Sequence, residues 1–122
     1  MTNQLPSVIQ RHIDAVNAFD TDAVVATFAA DALVNDNHRD IRGTDAIRAW
    51  VAREIVGDRV TMDVVAVVDQ PGVSAVRARY DGDFDRTGLP DEVILTNYFV
   101  VRDDRIAALL VIFNTADHHA VN

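Results

Sequence analysis

The sequence contains no cysteine, which removes disulfides, thiolate metal sites and a cysteine nucleophile together. Lysine is missing too. Its 11 cationic side chains are all arginine and are outnumbered by 19 carboxylates, for a net charge of -8 and a pI near 4.7. A nucleic-acid footprint needs clustered cations, so nucleic acid is not an expected partner. No apolar run approaches the roughly 18 residues of a spanning helix. Met1 to Pro6 lacks the basic segment and apolar run of an export leader, so cytoplasmic residence away from membranes is expected. With no repeat, linker or low-complexity tract, the 122 residues read as one domain, 1–122, able to build a core without staples. A hydrophobic share of 49% and a charged share of 25% are those of an ordinary globular chain.

What is present falls into two periods. Val8, Ile9, Ile13 and Val16 share one face of a helix that Ser7 can cap, and His12 lies inside that stripe. Thr21-Asp22 opens a short second helix through Val24, Val25 and Phe28, ending near Asp31. Ala32 to Asp36 has a strand pattern, and Asn37 to Gly43 is polar enough for a loop. Thr44-Asp45 caps a third helix carrying Ile47, Trp50, Val51 and Ile55, which Gly57 ends. From Val60 the period becomes two. Val60, Met62, Val64, Ala66 and Val68 alternate with a more polar set, and Gln70-Pro71-Gly72 turns the chain into Val73–Asp81, where Val76, Ala78 and Tyr80 share a face opposite Arg77, Arg79 and Asp81. Gly82 to Pro90 is a loop. Glu92–Val101 and Arg105–Phe113 form a last hairpin through Asp103-Asp104. The final strand is apolar on both faces, so helices should cover one side and a second subunit the other. Helices first and an antiparallel meander afterwards make an α+β fold, with helices on one face of a curved sheet.

Three polar residues interrupt apolar faces: His12, Asp36 and Asn97. A buried polar group left unpaired costs about 1–3 kcal/mol, so each needs a partner or a purpose. Asn97 stands at the centre of the face formed by Val93, Leu95, Phe99 and Val101. Asp36 has the parity of Ala32 and Val34, and its carboxylate should reach the same interior, where a raised pKa would suit a general base. Each has a plain alternative: a satisfied core histidine, a strand-ending aspartate, an amide paired at a bulge. His118-His119 and the other histidines show no ligand spacing, so neither a metal nor a cofactor is expected.

The order of elements, and the runs QRHIDAVNAFDTDAVVATFAADALVND, RGTDAIRAW and NYFVVRDDRI, resemble the nuclear transport factor 2-like (SnoaL-like) superfamily and, within it, the ketosteroid isomerases. The resemblance covers nearly the whole chain. It implies a cone, a curved antiparallel sheet wrapped around three N-terminal helices, with a deep apolar pocket and a homodimer. In those isomerases an Asp base works with an oxyanion hole made of a Tyr and a protonated Asp. By position the base falls on Asp36 in LVND, the Tyr position on His12 in QRHID, and the protonated Asp position on Asn97 in LTNYF. The latter two differ in type, yet imidazole and amide can each donate a hydrogen bond. A weaker hole should cost rate, since one such donor is worth about 2.7–4 kcal/mol. Trp50, Phe99 and Phe113 fall where the family lines its pocket, and Asn35 and His38 flank Asp36.

The resemblance therefore implies a cofactor-independent isomerase or cyclase acting on an apolar carbonyl substrate through an enolate. A different arrangement makes His12 the base and Asp36 its orienting partner. A third reading is a non-catalytic small-molecule-binding or dimerisation module. The limonene-type epoxide hydrolases offer a fourth: Arg79-Tyr80-Asp81 resembles their Arg-x-Asp strand and Asn35 their Asn, but Leu33 and Val111 stand where their Tyr and second Asp would be.

Overall fold

In the computed structural model, which describes residues 5–85 and 87–113, helix α1 (Ser7–Asn17) buries Val8, Ile9, Ile13 and Val16, with His12 among them. Pro6, not Ser7, is the cap. Its carbonyl accepts the Ile9 and Gln10 N–H groups at 3.0 and 3.1 Å, so Ser7 already lies inside the helix. Helix α2 (Thr21–Ala26) is capped by Asp20, whose Oδ1 accepts from the Ala23 N–H at 3.1 Å. It stops at Ala26 rather than near Asp31, because a strand partner competes for the following backbone. The Thr27 carbonyl accepts the Ile106 N–H at 2.8 Å, and Phe28 opens β1 (Phe28–Asp36).

The polar stretch expected as a loop holds a short edge strand, β2 (Arg39–Arg42). Asn37 and His38, at φ 52 and 75, supply the left-handed turn between β1 and β2. An edge strand needs no apolar face, which is why its composition reads as loop. Helix α3 (Gly43–Trp50) takes Arg42, not Thr44, as its cap residue, and its course continues as a π-helical turn, Val51–Val56, before Gly57. Ile47, Trp50 and Val51 are buried along it.

Strands β3 (Thr61–Gln70), β4 (Val73–Asp81), β5 (Val93–Arg102) and β6 (Arg105–Phe113) follow as an antiparallel meander. The sheet order is β2-β1-β6-β5-β4-β3, antiparallel throughout except where β1 runs parallel to β6. Strict alternation fails in β3. The register shifts between Val64 and Ala66, and beyond this bulge the faces reverse: Val67 is buried, whereas Ala66 and Val68, expected to face the core, are exposed; Val64, ahead of the bulge, is exposed on the edge strand. Phe113 ends β6, but its side chain lies outside the described part, as do His118 and His119.

The core lies between the concave face and the three helices, with Phe99, Ile9, Ile47, Ile106 and Val76 all but inaccessible. On the convex face Val68, Val73, Tyr98 and Ile112 remain exposed. Among the described residues no helix is long and apolar enough to cross a membrane. One side chain ties α1 to the meander: the Asn17 amide donates to the Met62 carbonyl at 3.0 Å and accepts the Met62 N–H at 2.8 Å. It occupies the backbone groups of β3 as a neighbouring strand would. Asn17→Ala should lower unfolding free energy by about 1–2 kcal/mol, one modest increment per lost bond. Urea denaturation at neutral pH measures it, and an unchanged midpoint would show the pair to be ornamental.

Candidate functional site

A cavity of about 200 Å³ opens between the concave sheet and the helices. Its walls are mostly apolar, including Val16, Val24, Met62, Leu95 and Val111, and His12, Asp36, Trp50, Tyr80 and Asn97 meet in it. Asp36, His12, Asn97 and Trp50 were expected there from sequence; Tyr80, Glu54 and Asp58, which also line the cavity, were not.

Asp36 ends β1 with the parity of Ala32 and Val34, and its side chain is about one quarter exposed (25%). Both of its partners reach the same oxygen. Oδ2 accepts the indole N–H of Trp50 at 3.1 Å and an Arg39 N–H at 2.8 Å. Arg39 stands opposite Asp36 across the β1–β2 turn and also grips both oxygens of Glu54, at 2.7 and 2.9 Å. Those bonds, to Glu54 first and Asp36 second, hold the guanidinium more firmly protonated, while Arg39 in turn holds Glu54 below the usual carboxylate range. Among the described residues nothing hydrogen-bonds the Oδ1 oxygen of Asp36.

His12 sits deeper, only 3% exposed, with Phe28 and Phe99 packed edge-on at ring-centroid distances of 5.4 Å. Its Nδ1 lies 3.0 Å from the hydroxyl of Thr27, and that hydroxyl is 2.6 Å from the Val24 carbonyl. A carbonyl can only accept, so the single Thr27 proton goes to Val24 and Thr27 must accept from His12. The imidazole proton therefore resides on Nδ1. Desolvation lowers the His12 pKa to about 4, so the ring is neutral at pH 7 and Nε2 carries a bare lone pair. The N–H expected to donate to a ligand oxygen is thus held by Thr27. The pairing of His12 with Asp36 is likewise replaced by His12 with Thr27.

Asn97 is 1% exposed, and its amide is occupied at both ends. Nδ2 donates to the Val76 and Leu95 carbonyls at 3.1 and 3.4 Å, and Oδ1 accepts the Tyr80 hydroxyl at 2.5 Å. Tyr80, driven first by burial, holds its phenol proton well above the ordinary range. Sequence did carry the signal for Tyr80, since its parity with Val76 and Ala78 points it inward, and a buried tyrosine hydroxyl needs a partner.

The remaining expected lining residues lie elsewhere. Phe99 is wholly buried core behind the His12 ring and does not line the cavity. Asn35 turns away, donating to Asp40 at 2.7 Å and accepting the His38 N–H at 3.2 Å, so Asn35 and His38 build the β1–β2 turn. Phe113 lies outside the described side chains. Arg79 points outward as its parity requires, bonding Glu92 at 2.5 Å and Asp63 at 2.9 Å, away from the cavity that an epoxide hydrolase would need it to enter. Among the described residues no three His, Asp or Glu side chains gather so as to hold a metal ion.

The buried neutral imidazole makes stability depend on pH. Unfolded His12 binds a proton below about pH 6.5, and the folded ring only below about 4. Between these values the unfolded state holds more protons, so stability falls as pH falls. From pH 7 to pH 5 this residue alone should remove about 2 kcal/mol. Paired urea titrations of wild type and His12→Phe cancel the carboxylates common to both; parallel pH profiles would contradict the assignment.

The same architecture recurs in known proteins. Residues 9–109 match the SnoaL-like domain. A candidate polyketide cyclase from Sinorhizobium meliloti is 31% identical, with a TM-score of 0.78 over 88% of this chain and 94% of that one. A ketosteroid isomerase-like fold from Catenulispora acidiphila, crystallised with trimethylamine, shares 18% identity and a TM-score of 0.78 over 93% and 89% of the two chains. A Mycobacterium tuberculosis protein in complex with estradiol-17beta-hemisuccinate shares 20% identity and a TM-score of 0.75 over 88% and 92%. With the domain match spanning most of its length and a 31% identical relative beside it, the chain belongs to the SnoaL-like family.

Proposed function

We propose that this protein is a cofactor-independent acid/base enzyme that moves a proton on an apolar carbonyl compound, with Asp36 as the base. One observation supports this above the others: Asp36 lines an apolar cavity with one oxygen fixed by Trp50 and Arg39 and the other without a partner among the described residues. In this reading Oδ1 removes a proton from carbon beside a carbonyl, leaving an enolate. The proton returns to another carbon in an isomerisation. In a cyclisation the enolate carbon attacks a second carbonyl carbon, and the new alkoxide takes the proton from Asp36.

The enolate charge needs a home. A donor in an oxyanion hole is worth about 2.7–4 kcal/mol, yet the N–H groups of His12 and Asn97 and the O–H of Tyr80 all have protein acceptors. A substrate that spreads the charge itself fits best, namely a carbon acid flanked by two carbonyls rather than a simple ketone. The likeness to a candidate polyketide cyclase supports the same substrate class. The cavity, about 200 Å³, is below the roughly 300–1,000 Å³ of drug-sized sites. It therefore suits one or two rings better than four. Exposed Val68, Val73, Tyr98 and Ile112 support a homodimer through the convex face, and cytoplasmic residence belongs to the same reading.

The engaged donors equally favour a second reading, a binding pocket without catalysis. Deuterium uptake from D2O into the central carbon of an aryl 1,3-diketone, followed by proton NMR, separates the two. Wild type should accelerate uptake at least about 100-fold over Asp36→Asn, the lower end of general-base contributions, and should leave a matched monoketone unaffected. Equal rates in wild type and Asp36→Asn would favour the binding pocket.

A further inference from the structure

We propose that the inner end of the cavity recognises a hydroxyl group on the ligand, which donates its proton to His12 Nε2. This deepens the reading above in one respect only: it rests on the cavity being the small-molecule site, and not on Asp36 acting as a base. A neutral imidazole has one N–H, and Thr27, whose own proton goes to Val24, needs it. Turning the ring over would set carbon Cδ2 against Thr27 and forfeit this bond, so the contact fixes the ring orientation as well as the tautomer. Phe28 and Phe99 hold the ring on two sides. The other nitrogen therefore presents a lone pair, it has no partner among the described residues, and the residue lines the cavity although it is 3% exposed.

The neighbouring polar groups reinforce that polarity. Tyr80 gives its proton to Asn97 and offers only oxygen lone pairs, and both amide protons of Asn97 are taken by backbone carbonyls. A ketone, ether or carboxylate oxygen set against any of these three side chains would meet lone pairs alone. An ammonium group could donate, but the apolar surroundings that keep His12 neutral would also penalise a cation. A neutral hydroxyl satisfies the nitrogen without burying a charge. The pocket thus inverts an oxyanion hole: at the inner end it accepts where the resemblance implied that it donates.

Binding of 2-naphthol, 2-methoxynaphthalene and naphthalene at pH 7, measured by calorimetry, tests this directly. Sites built around a hydroxyl discriminate sharply against analogues lacking it. Wild type should bind 2-naphthol at least about tenfold more tightly than either analogue. His12→Phe, which keeps an aromatic ring between Phe28 and Phe99, should abolish the preference, and Asp36→Asn should retain it. In wild type, the nitrogen NMR resonance of His12 Nε2 should move with 2-naphthol and stay put with 2-methoxynaphthalene. That readout needs no variant, so it decides the question even if His12→Phe fails to fold. No preference for the naphthol, an unmoved Nε2 resonance, or a preference lost in Asp36→Asn but kept in His12→Phe would each overturn the proposal. Absent deuterium uptake with an intact naphthol preference would instead remove only the catalytic reading.

Discussion

Thr27 stands where α2 hands the chain to β1, and its hydroxyl owns a single proton. Given to the Val24 carbonyl, that proton closes the last turn of α2; the oxygen left over can then only accept, and it fixes the tautomer of His12 on the neighbouring helix. The backbone of the same residue accepts the Ile106 N–H and starts the pairing of β1 with β6. Helix end, sheet entry and cavity chemistry are therefore set at one position. Loosening it would free the imidazole to rotate and change which atom it shows the cavity, even with every lining residue in place.

A second polar unit works by the same rule of satisfaction. Asn97 lies opposite Val76 in the β4–β5 register, and its amide bonds the Val76 carbonyl, so the side chain follows the strand pairing rather than disturbing it. Its oxygen then holds the Tyr80 hydroxyl from two positions further along the same face of β4. Buried polar groups are costly when partly satisfied and rigid when fully satisfied. Here full satisfaction leaves the cavity with acceptors facing inward. Residue types that look competent to donate are, in their folded arrangement, already donating elsewhere.

How much of this was legible depended on whether the pleat ran unbroken. In β4 and β5 alternation alone identified the inward faces, including Tyr80 and Asn97, because no inserted residue shifts the parity along the stretch that faces the cavity. In β3 the bulge after Val64 reversed the faces, and nothing in a run of valines and alanines announces it. Phe28 continued the apolar spacing of α2 by coincidence, and only the distant Ile106 decides that it belongs to a strand. Polar β2 was hidden because edge strands carry no apolar signature. The burial of His12 was readable from its stripe, but the direction of its proton was not. That direction depends on Thr27, fifteen residues away along the chain, and on what Thr27 does with its own hydrogen.

The two ends of the cavity differ in kind, and the difference gives a bound molecule a direction. Near the mouth, Arg39 bridges Asp36 and Glu54 with its side chain 54% exposed, so the network adds little to stability and matters for where it holds the Asp36 carboxylate. At the inner end His12 is neutral, dry and wedged between aromatic rings. Charge is tolerated outside and excluded inside. A small molecule with a hydroxyl at one end and an acidic carbon at the other can satisfy both only in one orientation, hydroxyl inward and carbon toward Asp36. If Asp36 is the base proposed above, binding at the inner end would position the reacting carbon, the way in which contacts remote from the chemistry raise its rate.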